Sequence, residues 1–202
     1  MHSASPERRT LYILFMVLLS EGAIVLFWLS TEQLHFIRFL GFAAGLAGTA
    51  LAWLLAVAVA AGYVWSAAKI VDVRYHLFRP SALKYVAIIA AVMAAILEEV
   101  IFRKLLMDYM QSRGYGAVLQ ILASGLAFGA VHLLWGFKNF AAGINAVWST
   151  TVLGCALGIV YIAGGRSLAP CVTAHFFITA FIEPGLILAA VKDRLGYLHE
   201  KV

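Results

Sequence analysis

Charge is what this chain most lacks. Of its 202 residues, 12% are Asp, Glu, Lys or Arg, whereas a soluble globular domain carries roughly 25%. So few charged groups cannot cover a water-exposed surface. Cysteine is nearly absent as well. Cys155 and Cys171 each lie inside an apolar run and form no C-x-x-C pair, which excludes a disulfide scaffold and leaves both as small packing residues. The alternating apolar and polar positions of a membrane β-barrel do not occur. Acidic residues number 10 against 15 Lys and Arg, for a net charge of +5. The basic residues are scattered between apolar runs, as orientation in a bilayer requires, and nucleic acid is excluded as a partner.

What is there is apolar: 63% of the residues are hydrophobic, far too many for disorder. Six apolar segments emerge, at about 11–29, 39–68, 83–109, 115–135, 140–163 and 167–191, each near the roughly 20 residues that carry an α-helix across a bilayer. The fold class is therefore all-α, a polytopic transmembrane bundle of about six helices expected to form a single transmembrane domain over 1–202. Tyr12, Trp28, Trp65, Tyr85, Tyr109, Tyr115, Trp135, Tyr161 and Tyr197 fall near segment ends, as an interfacial belt places them. The first segment follows Arg8 and Arg9, but it exceeds the about 7–15 apolar residues of a signal peptide, and Ser30-Thr31-Glu32-Gln33 offers no cleavage site, so a retained helix is expected. The pairs Gly41/Gly45, Gly125/Gly129 and Gly154/Gly158 suit close helix approach in lipid.

Six crossings place the N-terminus, the second and fourth loops and the C-terminus on one side. That side holds Arg8, Arg9, Lys69, Arg74, Arg79, Lys84, Lys138, Lys192, Arg194 and Lys201. Arg38, Arg103, Lys104, Arg113 and Arg166 fall on the other, so both termini are expected in the cytoplasm.

Ionisable groups inside a span are costly, so each is a functional hypothesis. In the third segment Glu99 and Arg103 stand at i, i+4 and share a face, while Glu98 points about 100° away. One carboxylate is thus tied to an arginine and the other is free for chemistry. The competing reading is a solvated charge cluster that also includes Lys104 and Asp108. In the fourth segment Phe128 and His132 share a face, and in the sixth Pro170 suits a first helical turn, followed by His175 and Thr179 on one face. His35, His76 and His199 are expected in loops or at the tail. At 1.5 Å per residue, Glu98 lies about 22 Å from Leu83, His132 about 25 Å from Tyr115 and His175 about 12 Å from Ser167, so a shared cavity is geometrically possible. Glu21 and Glu183 are expected to hydrogen-bond a neighbouring helix, and Glu183-Pro184 reads as a break.

Glu98-Glu99-x-x-x-Arg103, Phe128-x-x-x-His132 and the Ser-Leu-Ala-Pro run leading to His175 resemble the CAAX protease and bacteriocin-processing (ABI) family of intramembrane proteases, over about residues 90–180. The resemblance implies peptide-bond hydrolysis within or at the edge of the bilayer. Glu98 would be the general base, acting with His132 on a water. His175 would hold the developing oxyanion, with Glu99 and Arg103 orienting the inner groups and Phe128 and Thr179 supporting them. Where the family's third motif usually reads His-x-x-x-Asn, Thr179 stands here; Asn145 of the fifth segment could supply the missing amide. No cofactor is expected, because a glutamate-activated water needs none and H-E-x-x-H is absent. The alternative is a zinc ion held by Glu98, His132 and His175.

The implied partners are the lipid bilayer and a peptide or protein substrate with a membrane-embedded or lipidated C-terminal segment, in a bacterial or archaeal cell membrane. The charge count sets the cavity mouth on the outer face, as for a sorting-type protease related to the myxosortases. A prenyl-peptide protease would open to the cytoplasm instead. Two rivals stand beside the protease: a proton-coupled carrier, using Glu21, Glu98, Glu99, His132, His175 and Glu183 as a relay, and a catalytically silent binding or immunity protein.

Overall fold

A computed structural model describes residues 5–31, 33–136 and 139–193. Lys138, Arg194, Tyr197, His199 and Lys201 of the tallies above lie outside the described residues. Within them the chain is helical, with no strand. The helices are α1 (Pro6–Thr31), α2 (Gln33–Phe39), α3 (Ala50–Ala67), α4 (Val71–His76), α5 (Ala82–Ser112), α6 (Ala117–Gly136), α7 (Phe140–Ala163) and α8 (Ala169–Val191). Six of them, all but α2 and α4, are long and apolar enough to cross a membrane. This is the expected all-α polytopic bundle.

Successive crossings alternate in direction. Leu14 near the start of α1 packs with Leu83 and Ala87 at the start of α5 and with Ile187 and Val191 at the end of α8. Lys192 pairs with Asp72 at 2.6 Å on this same end, called here the N-terminal end. At the opposite end the Ser167 hydroxyl donates to the Leu46 carbonyl at 2.7 Å. α8 is the hub, packed against α1, α3, α4, α5 and α7, and most of its residues are buried.

The second segment differs from expectation. The helix begins only at Ala50, where Thr49 Oγ1 accepts from the Ala52 N–H, and not at residue 39. Gly41, Gly45 and Gly48 sit at φ +84°, +77° and +81°, a left-handed backbone that breaks a helix and that glycine alone adopts at little cost. The Gly41/Gly45 pair therefore makes a loop and no helix crossing. Gly125, Gly129 and Gly154 do make one. A Cβ on Gly154 would stand 2.8 Å from the Gly125 Cα, and one on Gly129 2.8 Å from the Val147 carbonyl, so α6 and α7 touch backbone to backbone.

α8 also runs unbroken through Pro184. Proline has no N–H for the carbonyl four residues back, and that carbonyl, Ala180 O, instead accepts from Lys84 Nζ at 2.6 Å. The same ammonium lies 5.0 Å from the Phe181 ring centroid. A buried lysine of α5 thus replaces the missing donor, which is why no break appears.

Candidate active site

α5 delivers the two glutamates just before its helix widens into a π-helical stretch, Val100–Met107, a local geometry frequent at functional sites. Glu99 is fully buried. Its Oε1 lies 2.8 Å from His175 Nδ1 and its Oε2 3.1 Å from Arg103 Nε. The Arg103 N–H is not aimed along that second vector, so it is an ion pair rather than a hydrogen bond. Arg103, also fully buried, donates through Nη2 to the Gly154 carbonyl at 3.1 Å and stacks 4.9 Å above the Phe128 ring. By contrast Lys104 and Asp108, paired at 3.0 Å, are each 30% exposed. The solvated cluster is thus confined to Lys104 and Asp108, and Glu99 lies outside it, buried against Arg103.

Phe128 is the hinge of the cluster. Its ring meets Phe102 edge-on at 5.3 Å, His132 at 4.8 Å and His175 at 5.6 Å. His132 Nδ1 lies 2.7 Å from the Phe128 carbonyl. A carbonyl only accepts, so Nδ1 carries the proton and Nε2 of the neutral ring keeps a free lone pair. His175 has Nδ1 committed to Glu99, and its Nε2 stands 3.7 Å from Glu98 Oε2. Glu98 itself is half-buried, with that oxygen lacking any hydrogen bond.

Phe128, His132 and His175 line a cavity of about 520 Å³ together with Asn145, Thr179 and Glu183. The volume suits a small ligand or a short peptide. Lys69, Trp135, Ala142 and Leu186 also line it, and all four stand at the N-terminal end of the bundle. The cavity therefore extends from the histidines toward the N-terminal end of the bundle, whereas the charge count sets its mouth on the outer face.

All of Glu98, Glu99, Arg103, Phe128, His132 and His175 come together, and Thr179 lies on the cavity wall. Among the described residues, no three His, Cys, Asp or Glu side chains are grouped closely enough to hold a metal ion. Glu21 and Glu183 also depart from expectation. Oε2 of each is buried without a hydrogen bond, and both lie within electrostatic reach of Glu98. Their rarity as intramembrane acids was the available signal. Nothing in the sequence could reveal the Gly154 carbonyl as the arginine's acceptor. His35 and His76 are helical, in α2 and α4. His76 is buried with an unpartnered Nδ1, and burial lowers its pKa, partly opposed by Asp72 and Glu7.

Fold and site together define a class: a multi-pass helical membrane protein with a carboxylate–imidazole centre beside a cavity. The profile of the family described as type II CAAX prenyl endopeptidase, Rce1-like, matches residues 80–181. The chain belongs to that family, and membership implies a membrane-embedded endopeptidase acting on a protein substrate. No curated protein and no solved structure matches the chain.

Proposed function

We propose that the protein hydrolyses a peptide bond near the C-terminus of a lipidated or membrane-anchored substrate, with Glu98 as general base. The observation that supports this best is the position of His175, held by buried Glu99 on one ring nitrogen and facing half-buried Glu98 with the other. One carboxylate is consumed in positioning; the other stands 3.7 Å from His175 Nε2 and keeps an oxygen free of hydrogen bonds.

In this mechanism Glu98 takes a proton from a water whose oxygen attacks the scissile carbonyl carbon. The Nε2 lone pair of His132 shares that proton. His175, doubly protonated, presents Nε2–H to the oxyanion, and a cavity-lining amide from Asn145 supplies a second donor in place of the Asn that Thr179 replaces. Collapse of the tetrahedral intermediate breaks the C–N bond, and the proton held between Glu98 and His132 passes to the leaving amine. Glu99 and Arg103 act on His175 alone, fixing its ring. The extension of the cavity toward the N-terminal end, on the side with most of the basic residues, fits a cytoplasmic prenylated chain end better than an outer-leaflet sorting substrate.

The test is cleavage of a farnesylated C-terminal peptide by the purified protein, Glu98→Ala and His132→Ala, with and without a zinc chelator. Cleavage that survives the chelator and is lost in both variants supports the reading. Chelator-sensitive cleavage would move these side chains into a metal site. Wild-type activity matched by Glu98→Ala would sink the assignment.

A further inference from the structure

Among the described residues Glu183 is the one acid in the cavity lining. Its Oε2 is buried without a hydrogen bond, and no described Lys, Arg or His forms an ion pair with it. The bases of this region are committed elsewhere. His175 and Arg103 are both held by Glu99. Lys84 reaches α8 within a turn of Glu183, yet donates to the Ala180 and Phe181 carbonyls at 2.6 and 3.4 Å. Lys69, also in the lining, has its ammonium 4.8 Å from the Trp65 ring centroid. The charges within electrostatic reach of Glu183 are instead two more carboxylates, Glu98 and Glu21, neither of which belongs to the lining. A carboxylate that borders a cavity, with two acids near it and no cation of its own chain, suits a positively charged guest.

Glu183 follows His175 by eight residues, about 12 Å farther along α8 toward the N-terminal end. Helical side chains lean toward the N-terminus of their own helix, which for α8 is the direction of His175. Glu183 thus borders the same cavity as the two histidines, and within that cavity the polar groups differ in sign. His175 and Asn145 offer N–H groups to an oxyanion, whereas Glu183 offers an acceptor. Hydrolysis of a peptide bond makes one fragment to match each. The water oxygen joins the carbonyl carbon, the C–N bond breaks with its electron pair left on nitrogen, and both water protons end on that nitrogen. One fragment becomes a carboxylate and the other a primary ammonium.

We infer that Glu183 receives the ammonium that hydrolysis creates on the leaving fragment, so that the cavity sorts the two products by sign. This rests on the endopeptidase reading above and adds a subsite for one product. The new carboxylate stays with the N–H donors and is repelled by Glu98 and Glu183, while the ammonium is drawn to Glu183. A scissile amide is neutral and gains less from a carboxylate, so the contact strengthens once the bond is cut. Holding the two new ends apart opposes re-formation of the bond.

The test begins with cleavage of a farnesylated peptide by the purified protein in an uncharged detergent at a pH of about 7, where an α-amino group, with a pKa of roughly 7.7–8.0, is mostly ammonium. The C-terminal fragment released, identified by mass, is then titrated calorimetrically into the wild type and variants in two forms, with its new amino end free and with that end acetylated. A charge-assisted hydrogen bond predicts that the wild type binds the free amine about tenfold or more tightly, read as the ratio of the two Kd values. Glu183→Gln should bring that ratio to within about twofold, and Glu183→Asp should restore part of it. A wild-type ratio near one, or a ratio unchanged in Glu183→Gln, would overturn the inference while leaving the endopeptidase reading intact. Equal collapse in Glu21→Gln would assign the preference to the field of the acid cluster and overturn the contact with Glu183. Loss of binding of both forms in Glu183→Gln and Glu183→Asp alike would make Glu183 a structural acid and overturn it as well. Failure of the wild type to cut the farnesylated peptide would overturn both readings.

Discussion

The decisive residue contrast lies between adjacent glutamates. Glu99 has its charge matched by Arg103 and His175 in a buried setting, whereas Glu98 has an oxygen without a hydrogen bond, 3.7 Å from His175 Nε2. Replacing Arg103 by Met should leave Glu99 as an uncompensated buried charge, at a cost of about 3–5 kcal/mol. Thermal unfolding in detergent would show this as a large drop in Tm. Arg103→Lys should not restore it, since an ammonium cannot serve the Gly154 carbonyl, the Phe128 face and Glu99 together. Glu98→Gln should keep the wild-type Tm and lose activity by a factor of about 10³ or more. For the oxyanion donors, Asn145→Ala should lower kcat by about 10²-fold, the order expected for one such donor. A loss confined to Thr179→Ala would instead make the threonine hydroxyl that donor.

Among the helices, contacts that lack side chains matter as much as those that have them. Gly129→Ala pushes a methyl against the Val147 carbonyl and Thr151 and should cost about 1–3 kcal/mol by overpacking. Gly62→Ala, with open space around its Cβ, should be neutral or stabilising by about 1 kcal/mol. Equal losses from both would show that α6 and α7 do not meet as described. α4 carries a group that couples stability to pH. The pKa of His76 is lowered by burial, so the unfolded chain binds more protons than the folded one as pH falls toward and below the ordinary histidine value of about 6.5. Stability present at neutral pH should therefore decline on acidification through that range, and less steeply in His76→Phe. A wild-type Tm that is flat between neutral pH and pH of about 5.5 would contradict this.

For the whole molecule, the testable quantity is sidedness. A cysteine placed at Ser66 should react with a membrane-impermeant maleimide added from the cytoplasmic side of oriented vesicles, because Ser66 lines the cavity in the last turn of α3, at the N-terminal end of the bundle. Labelling only from the outside would invert the topology and revive the sorting-type substrate. Arg103 is fully buried and is not a loop charge. Its removal strengthens the cytoplasmic assignment of the N-terminal end.

The sequence by itself determined the class, the six apolar helices of bilayer length and the titratable groups that come together between them. Apolar runs of bilayer length permit little but helices, and Glu99/Arg103 and Phe128/His132 meet because i, i+4 neighbours share a helical face. Only tertiary structure decided the rest. The pairing of Glu99 with His175 depends on how α5 lies against α8, and the cavity on where α3, α6, α7 and α8 diverge. Lys84 closing the gap at Pro184 and Arg103 ending on the Gly154 carbonyl are bonds between side chains and distant backbone oxygens. A backbone carbonyl leaves no mark in the sequence, whatever residue carries it, so partners of this kind become visible only when the helices have packed.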